Sequence, residues 1–127
     1  MGTGHLADTN AIIDYLGNKL PKKATIFIDN LEMQLSVISK IELLAWTKIS
    51  SQQFHQLSDF IASSIVFNLS EEVVQHTIEI RKSFNLKLPD AVIAATALAH
   101  NLVLITRNTS DFKRIEKLNL LNPWDIS

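Results

Sequence analysis

Two adjacent apolar segments constrain the fold more than any other feature of the sequence. Residues 102–105 form a continuous run of Leu and other branched apolar side chains, and a strand that is apolar on both faces belongs inside a parallel sheet covered by helices. The segment at residues 91–99 is apolar on nearly every side of a helix that Pro89 opens and Asn101 ends, so this helix should be buried. The sequence therefore predicts a sheet enclosed between layers of helices.

Shorter segments along the rest of the chain predict an alternation of strands and helices. Strands are predicted at residues 6–7, 35–38, 65–67 and 102–105, with an edge strand at 120–121. Helices are predicted through residues 12–16, 26–31, 39–46, 54–61, 73–84 and 89–99, with a short last helix beginning near Thr109 and Ser110. This order indicates a single domain over residues 1–127, built as a three-layer α/β/α sandwich with a short, mainly parallel central sheet.

Composition excludes several classes of protein. A chain of 127 residues with a net charge of −1 lacks the overall basic character of most nucleic-acid binders, so a nucleic acid would have to be held by a local patch or through metal ions. Cysteine is absent, which excludes disulfides, thiolate zinc sites and cysteine nucleophiles and permits a cytoplasmic location. The longest nearly apolar stretch is far shorter than the roughly 20 residues that a membrane-spanning helix needs. We therefore expect no membrane partner.

Four acidic residues stand at strand ends or in the first turns of predicted helices. Asp8 follows the first strand, Glu42 comes just after the second, Asp90 begins the buried helix and Asp111 follows the last buried strand. Each has a local explanation: Asp8 can cap a helix, Ser39 and Glu42 fit a capping box, and the other two suit the positive first turn of a helix. Taken singly, these acids indicate nothing more than well-formed helix ends.

Taken together, the four acids indicate a metal site, because function collects beyond the carboxyl ends of the strands in an open parallel sheet. Two carboxylates about 5 Å apart repel each other by roughly 3 kcal/mol at an effective dielectric constant of 20, which a bound cation would relieve. Oxygen ligands without Cys or His favour a hard ion such as Mg²⁺ or Mn²⁺. Such an ion lowers the pKa of its bound water and offsets charge on a phosphate, so the site suits hydrolysis of a phosphodiester.

At these acids the sequence carries four motifs in a recognisable order and at recognisable intervals. The motifs are Ala7-Asp8-Thr9-Asn10, Ser39-x-x-Glu42-Leu43, Leu88-Pro89-Asp90-x-x-Ile93-Ala94-Ala95-Thr96-Ala97 and Thr106-x-Asn108-x-x-Asp111-Phe112. They resemble the motifs of PIN-domain ribonucleases, and the short chain resembles most of all the VapC-type toxins of bacterial toxin–antitoxin pairs. The resemblance runs from about Leu6 to Pro123, which is nearly the whole chain.

The resemblance implies an activity, a set of site residues and partners. The activity is Mg²⁺- or Mn²⁺-dependent endonucleolytic cleavage of RNA, carried out by a homodimer that an antitoxin protein silences. The metal-binding and catalytic acids are Asp8, Glu42, Asp90 and Asp111, of which the last acts directly or through water. The supporting polar residues are Asn10 and Asn108, which hydrogen-bond within the site, and the hydroxyls of Thr9 and Thr106.

Basic side chains could flank the groove of such a nuclease, although most basic residues are simply solvated. Arg107 is the strongest candidate for an RNA contact, because it lies in the turn that carries Asp111. Lys40 is a second candidate, and Lys113 and Arg114 could flank the groove as well. Binding to phosphates would be the shared role of these cations.

Other functions fit the sequence less well. A phosphorelay receiver domain needs an acceptor Asp after its third strand, where Asn68 stands, and a Lys after a later strand, where Thr106 and Arg107 stand. A phosphatase built on Asp8 would want a second Asp at position 10, which Asn10 occupies. A non-catalytic RNA- or protein-binding module of the same fold stays open as the alternative, although four intact acids disfavour it.

Overall fold

The structure is a computed structural model that describes residues 4–127, so the first three residues of the predicted domain lie outside the described part. The strands are β1 (His5–Ala7), β2 (Gln34–Ser36), β3 (Ile65–Phe67), β4 (Val103–Ile105) and β5 (Leu120–Leu121). The helices are α1 (Thr9–Leu16), α2 (Lys22–Asp29), α3 (Val37–Leu44), α4 (Ser51–Ala62), α5 (Glu71–Ser83), α6 (Leu88–Ala99) and α7 (Thr109–Phe112), followed by a 3-10 turn at Pro123–Asp125. None of these helices has the length and apolar character needed to cross a membrane.

The strands form one parallel sheet in the order β3-β2-β1-β4-β5. The chain builds outward from β1 to β3, then returns to place β4 on the free side of β1 and continues outward to β5. A crevice forms beyond the carboxyl ends of the two strands at which a parallel sheet reverses direction in this way, here β1 and β4. The predicted three-layer α/β/α sandwich with a parallel sheet is confirmed.

The register of the inner strands explains why both faces of the sheet are covered. Leu6 pairs with Leu104, and both side chains pack in a cluster with residues of α5 and α6. The next residue, Ala7, packs with Leu35 in a second cluster with residues of α1, α3 and α4. Burial of each large apolar side chain contributes about 1.5–3 kcal/mol, so the two clusters hold the helical layers on opposite faces.

The helix α3 begins earlier than the sequence predicts, and this changes the surroundings of Glu42. The hydroxyl of Ser36 accepts a hydrogen bond from the backbone N–H of Ile38 at 3.1 Å, so Ser36 rather than Ser39 caps the helix. The predicted strand at residues 35–38 is therefore too long, and the capping box of Ser39 and Glu42 is wrong. Glu42 instead lies in the second turn of α3, and the helix ends before Trp46.

Candidate active site

Asp8 is the most enclosed of the four predicted acids, with 3% of its surface exposed. Its backbone N–H donates to the carbonyl of Ile105 at 2.9 Å, which fixes it between the ends of β1 and β4. As the predicted cap of α1, its Oδ1 accepts from the backbone N–H of Thr9 at 2.7 Å. Its Oδ2 accepts from the hydroxyl of Thr106 at 2.8 Å and from Nδ2 of Asn10 at 3.0 Å.

These contacts leave Asp8 both buried and close to a second negative charge. Burial raises the pKa of Asp8, the hydrogen bonds from Thr106, Thr9 and Asn10 oppose that shift, and the charge of Asp90 raises the pKa further. A carboxylate offers about four lone-pair positions, of which three are taken here. Asp8 therefore retains one position with which it could bind a cation.

Thr106 connects the ends of the two central strands to the turn that leads to Asp111. It is fully buried directly after β4. Its hydroxyl donates to Asp8 and accepts a hydrogen bond from the backbone N–H of Asn108 at 3.0 Å. Asn108 precedes α7, and Asp111 lies in the first turn of that helix. One buried hydroxyl thus ties the motif around Asp8 to the motif around Asp111.

Thr9 connects α1 to the acid on α3. Its hydroxyl lies 2.7 Å from Oε1 of Glu42 and 2.9 Å from the hydroxyl of Ser39. Ser39 is fully buried inside α3, so it supports this contact rather than the start of a helix. The exposed carboxylate of Glu42 is therefore oriented by a residue that directly follows Asp8 in the sequence.

Asp90 is the acid through which the four predicted positions interact. It lies in the first turn of α6 and is half-buried. Burial raises the pKa of Asp90, and the charges of Glu42 and Asp111 raise it further, whereas the charge of Lys87 lowers it. Since Asp90 also raises the pKa of Asp8, its carboxylate interacts with all three of the other acids.

The oxygen atoms around Asp8 fit a hard divalent ion better than any other metal. Within residues 4–127, no group of three or more His, Asp or Glu side chains is arranged to hold a metal ion. Mg²⁺ is usually held by only one or two carboxylates and keeps several waters or binds substrate phosphates. Oδ1 of Asn10 is buried without a hydrogen-bond partner, which costs about 1–3 kcal/mol unless a donor or a cation reaches it. Oxygen donors and an unpartnered buried oxygen beside Asp8 fit a hard ion.

Residue spacing alone does not single out Asp14, which the structure places in a buried charge cluster. Asp14 is 2% exposed, and both its oxygens contact Nη1 of Arg107, at 3.1 and 3.2 Å. Its Oδ2 also accepts from the indole N–H of Trp124 at 3.0 Å. These partners lie 93 and 110 positions away, so the spacing of residues could not reveal them. The one available signal is that Asp14 follows buried Ala11 by three positions on α1.

The two basic residues predicted to contact RNA occupy different settings. Arg107 is half-exposed, at 51% of its side chain, and its guanidinium is anchored on Asp14. Lys40 is exposed on α3, two positions before Glu42. Arg107 therefore has a structural partner in the folded chain, whereas Lys40 projects from a solvated helix surface.

The raised pKa values of Asp8 and Asp90 predict that the protein loses stability as the pH rises. Both carboxyls hold their protons more tightly in the folded chain, so the free energy of unfolding falls as the pH rises from their ordinary value of 3.8 through the raised one. In a chelating buffer at neutral pH, we expect Asp90→Asn to raise the free energy of unfolding by at most about 1 kcal/mol, because solvent screens a half-exposed carboxylate.

Urea denaturation at neutral pH and at about pH 3.5 would measure this effect, since the gain should vanish where the carboxyls are protonated. The control is Asp59→Asn, which makes the same charge change at an exposed position of α4 and should give no gain. A variant Asp90→Asn that is less stable than the unmodified protein at neutral pH would contradict the prediction.

Comparisons with known structures extend over nearly the whole chain. A chain of a toxin–antitoxin complex from Klebsiella pneumoniae is 30% identical and aligns with a TM-score of 0.78 over 97% of this chain and 100% of that one. A chain of VapBC-1 from nontypeable Haemophilus influenzae is 25% identical, with a TM-score of 0.78 over 94% and 97% of the two chains. A chain of the DNA-bound VapBC from Salmonella typhimurium, 23% identical, shares the fold with a TM-score of 0.83 over 96% and 99%.

Comparison with protein families agrees with these structures. No curated protein sequence matches the chain, but the sequence profile of the PIN domain matches residues 6–118. This range includes all four motifs, so their resemblance to VapC-type PIN domains is confirmed. The chain belongs to the PIN domain family.

Proposed function

We propose that the protein is a metal-dependent endoribonuclease that hydrolyses RNA phosphodiester bonds, and that it acts as the toxin of a type II toxin–antitoxin pair. The observation that carries the proposal is the set of hydrogen bonds that joins three of the acidic motifs where β1 and β4 end: Thr106 links Asp8 to the turn that leads to Asp111, and Thr9 contacts Glu42. The charge of Asp90, which raises the pKa of Asp8, supports it. Membership of the PIN domain family supports the nuclease activity, and likeness to chains of toxin–antitoxin complexes supports the biological role.

In this proposal the four acids hold a Mg²⁺ or Mn²⁺ ion and face the substrate phosphate. Asp8 contributes its one free lone-pair position from the buried end of the site, and Glu42 and Asp111 contribute from its exposed side. A bound divalent ion would supply a water of lowered pKa and offset the negative charge of the phosphate. The charge of Asp90 raises the pKa of Asp8, and the charges of Glu42 and Asp111 raise that of Asp90, so we assign Asp90 the largest share of the binding.

The neutral polar residues keep the carboxylates in place. Thr106 and Asn10 donate to the same oxygen of Asp8, which gives its one remaining lone-pair position a fixed direction. Thr9 contacts the exposed side chain of Glu42 through its hydroxyl and so orients it. Groups that orient metal ligands in this way typically change metal affinity or activity about 10- to 100-fold when they are removed.

Removal of divalent ions should abolish cleavage of RNA. We expect the protein to cleave single-stranded RNA in Mg²⁺ or Mn²⁺, to stop in excess chelator and to recover when the ion is restored, because three like charges around Asp90 cannot bind a phosphate unaided. Gel analysis of labelled RNA measures the products. Cleavage that continues in chelator would contradict the metal-dependent mechanism, and RNA binding without any cleavage would favour the non-catalytic module instead.

The proposal includes partners and a location. Because similar chains come from toxin–antitoxin complexes, we propose a cognate antitoxin protein as the partner, and the family resemblance supports a homodimer. An RNA substrate would place the protein in the cytoplasm. A small gene next to that of this chain, whose product binds the protein and stops its cleavage of RNA, would support the toxin role, whereas an isolated gene would favour a solitary nuclease.

A further inference from the structure

A cavity of about 520 Å³ adjoins the acidic site between the segment that precedes α6 and the residues in and just after α7. Its lining combines two of the predicted acids, Asp90 and Asp111, with three cations, Lys87, Lys113 and Arg114. Arg107 and Lys40, which the sequence favoured as RNA contacts, do not line it. The positive charge in this cavity therefore comes from side chains other than Arg107 and Lys40.

The three cations are free to bind a ligand. Among residues 4–127, the one ion pair is that of Arg107 with Asp14, so Lys87, Lys113 and Arg114 have no carboxylate within salt-bridge distance. All three are exposed, and the charge of Lys87 reaches Asp90 closely enough to lower its pKa. A concave surface that holds uncompensated cations beside carboxylates raises the local concentration of an anionic ligand.

We propose that Lys87, Lys113 and Arg114 bind phosphates of single-stranded RNA next to the phosphate that is cleaved, so that the strand leaves the acids along this cavity. The inference rests on the proposed function for its substrate class. A polyanion that approaches four carboxylates on a chain of net charge −1 needs compensating charge nearby. The volume of the cavity lies in the range of small-molecule pockets, about 300–1,000 Å³, which leaves room for a group the size of a nucleotide.

The double substitution Lys113→Gln/Arg114→Gln tests the proposal through the salt dependence of binding. Each lost phosphate contact to a single strand should make the slope of log affinity against log salt shallower by about 0.7, so two should change it by about 1.4. We expect the double variant to bind RNA at least about tenfold more weakly than the unmodified protein at 50 mM salt. At 200 mM salt, the ratio of the two affinities should be about sevenfold smaller. Fluorescence anisotropy of a labelled single-stranded RNA in chelator measures affinity without any need for cleavage.

Two further variants make the result specific. Lys48→Gln/Lys82→Gln removes the same charge from exposed positions that do not line the cavity, and its slope should equal that of the unmodified protein. Lys113→Gln alone should give about half the change in slope. Because this variant keeps Arg114, its result cannot come from a loss of Arg114 packing. In Mg²⁺, cleavage at protein concentrations below saturation should fall for the double variant in proportion to its weaker binding of RNA.

The outcomes separate this inference from the function on which it rests. Equal affinity and equal slope in the unmodified protein and in Lys113→Gln/Arg114→Gln would overturn the inference, even if RNA is cleaved normally. A protein that shows the expected change in slope but never cleaves RNA would overturn the proposed activity and still support the assignment of Lys113 and Arg114. A control variant as strongly affected as the cavity variant would overturn the inference too.

Discussion

Replacement of Asp90 by Asn should reduce the cleavage of RNA by at least about 100-fold while the protein stays folded. The carboxylate of Asp90 interacts with those of Asp8, Glu42 and Asp111, so its loss removes the charge at the centre of the proposed ion site. Stabilisation of transition-state charge by a metal ion is worth several kcal/mol, and each 1.36 kcal/mol corresponds to a factor of ten in rate. The lower rate of cleavage should persist at high concentrations of Mg²⁺, because an ion bound by the remaining acids would not be placed correctly against the phosphate.

The rate of cleavage of labelled RNA, measured alongside circular dichroism, would test this expectation. Asp59→Asn on exposed α4 provides the matched control and should cleave at the unmodified rate. Asp8→Asn should also lose activity, but it is a less clean variant because an amide cannot accept from all three of the donors that Asp8 satisfies. A variant Asp90→Asn that cleaves RNA within a few-fold of the unmodified rate would defeat the assigned mechanism.

The substitution Arg107→Met should lower the free energy of unfolding by about 2 kcal/mol, because it leaves the buried carboxylate of Asp14 with Trp124 as its remaining partner. Loss of one partner of a fully buried ion pair costs about 3–5 kcal/mol. The smaller figure applies here because half of the Arg107 side chain is exposed and solvent screens the pair. Urea denaturation measures the change, with Lys48→Met at an exposed position as the control.

A second substitution shows whether the loss comes from the stranded charge. Asp14→Asn removes the charge and keeps an oxygen that can accept from the indole of Trp124. We therefore expect Asp14→Asn/Arg107→Met to be more stable than Arg107→Met alone, a non-additivity that a double-mutant cycle quantifies. If Arg107→Met is as stable as the unmodified protein but binds RNA more weakly, its role is the RNA contact that the sequence favoured.

The fold could be predicted from the sequence because two segments, residues 91–99 and 102–105, are compatible only with burial. Residues 91–99 have no polar face, and residues 102–105 are apolar on both sides, so each must be buried whatever surrounds it. The one hydroxyl of α6 that is fully buried, that of Thr96, bonds to the carbonyl of Val92 within the helix at 2.7 Å. The burial of such segments follows from their own residues and does not depend on contacts with distant ones.

Other features could not be predicted because local signals compete or are missing. Val37 and Ile38 favour a strand by their branched side chains, yet Ser36 already caps a helix that includes them, so the apolar pattern placed the end of β2 too late. The predicted capping box of Ser39 and Glu42 was wrong for the same reason. Asp14 shows the opposite case: its burial depends on Arg107 and Trp124, which only the finished fold brings near.

The hydrogen bond from Thr106 to Asp8 joins residues 98 positions apart, and this distance along the chain determines when the site can exist. Contacts between residues so far apart form only after the intervening chain has been ordered, and a nascent polypeptide emerges from its N-terminus. A chain that ends before Val103 therefore leaves Asp8 with neither the hydroxyl of Thr106 nor the β4 strand beside it. The buried link between the ends of β1 and β4 therefore closes only after the chain has been synthesised through Thr106.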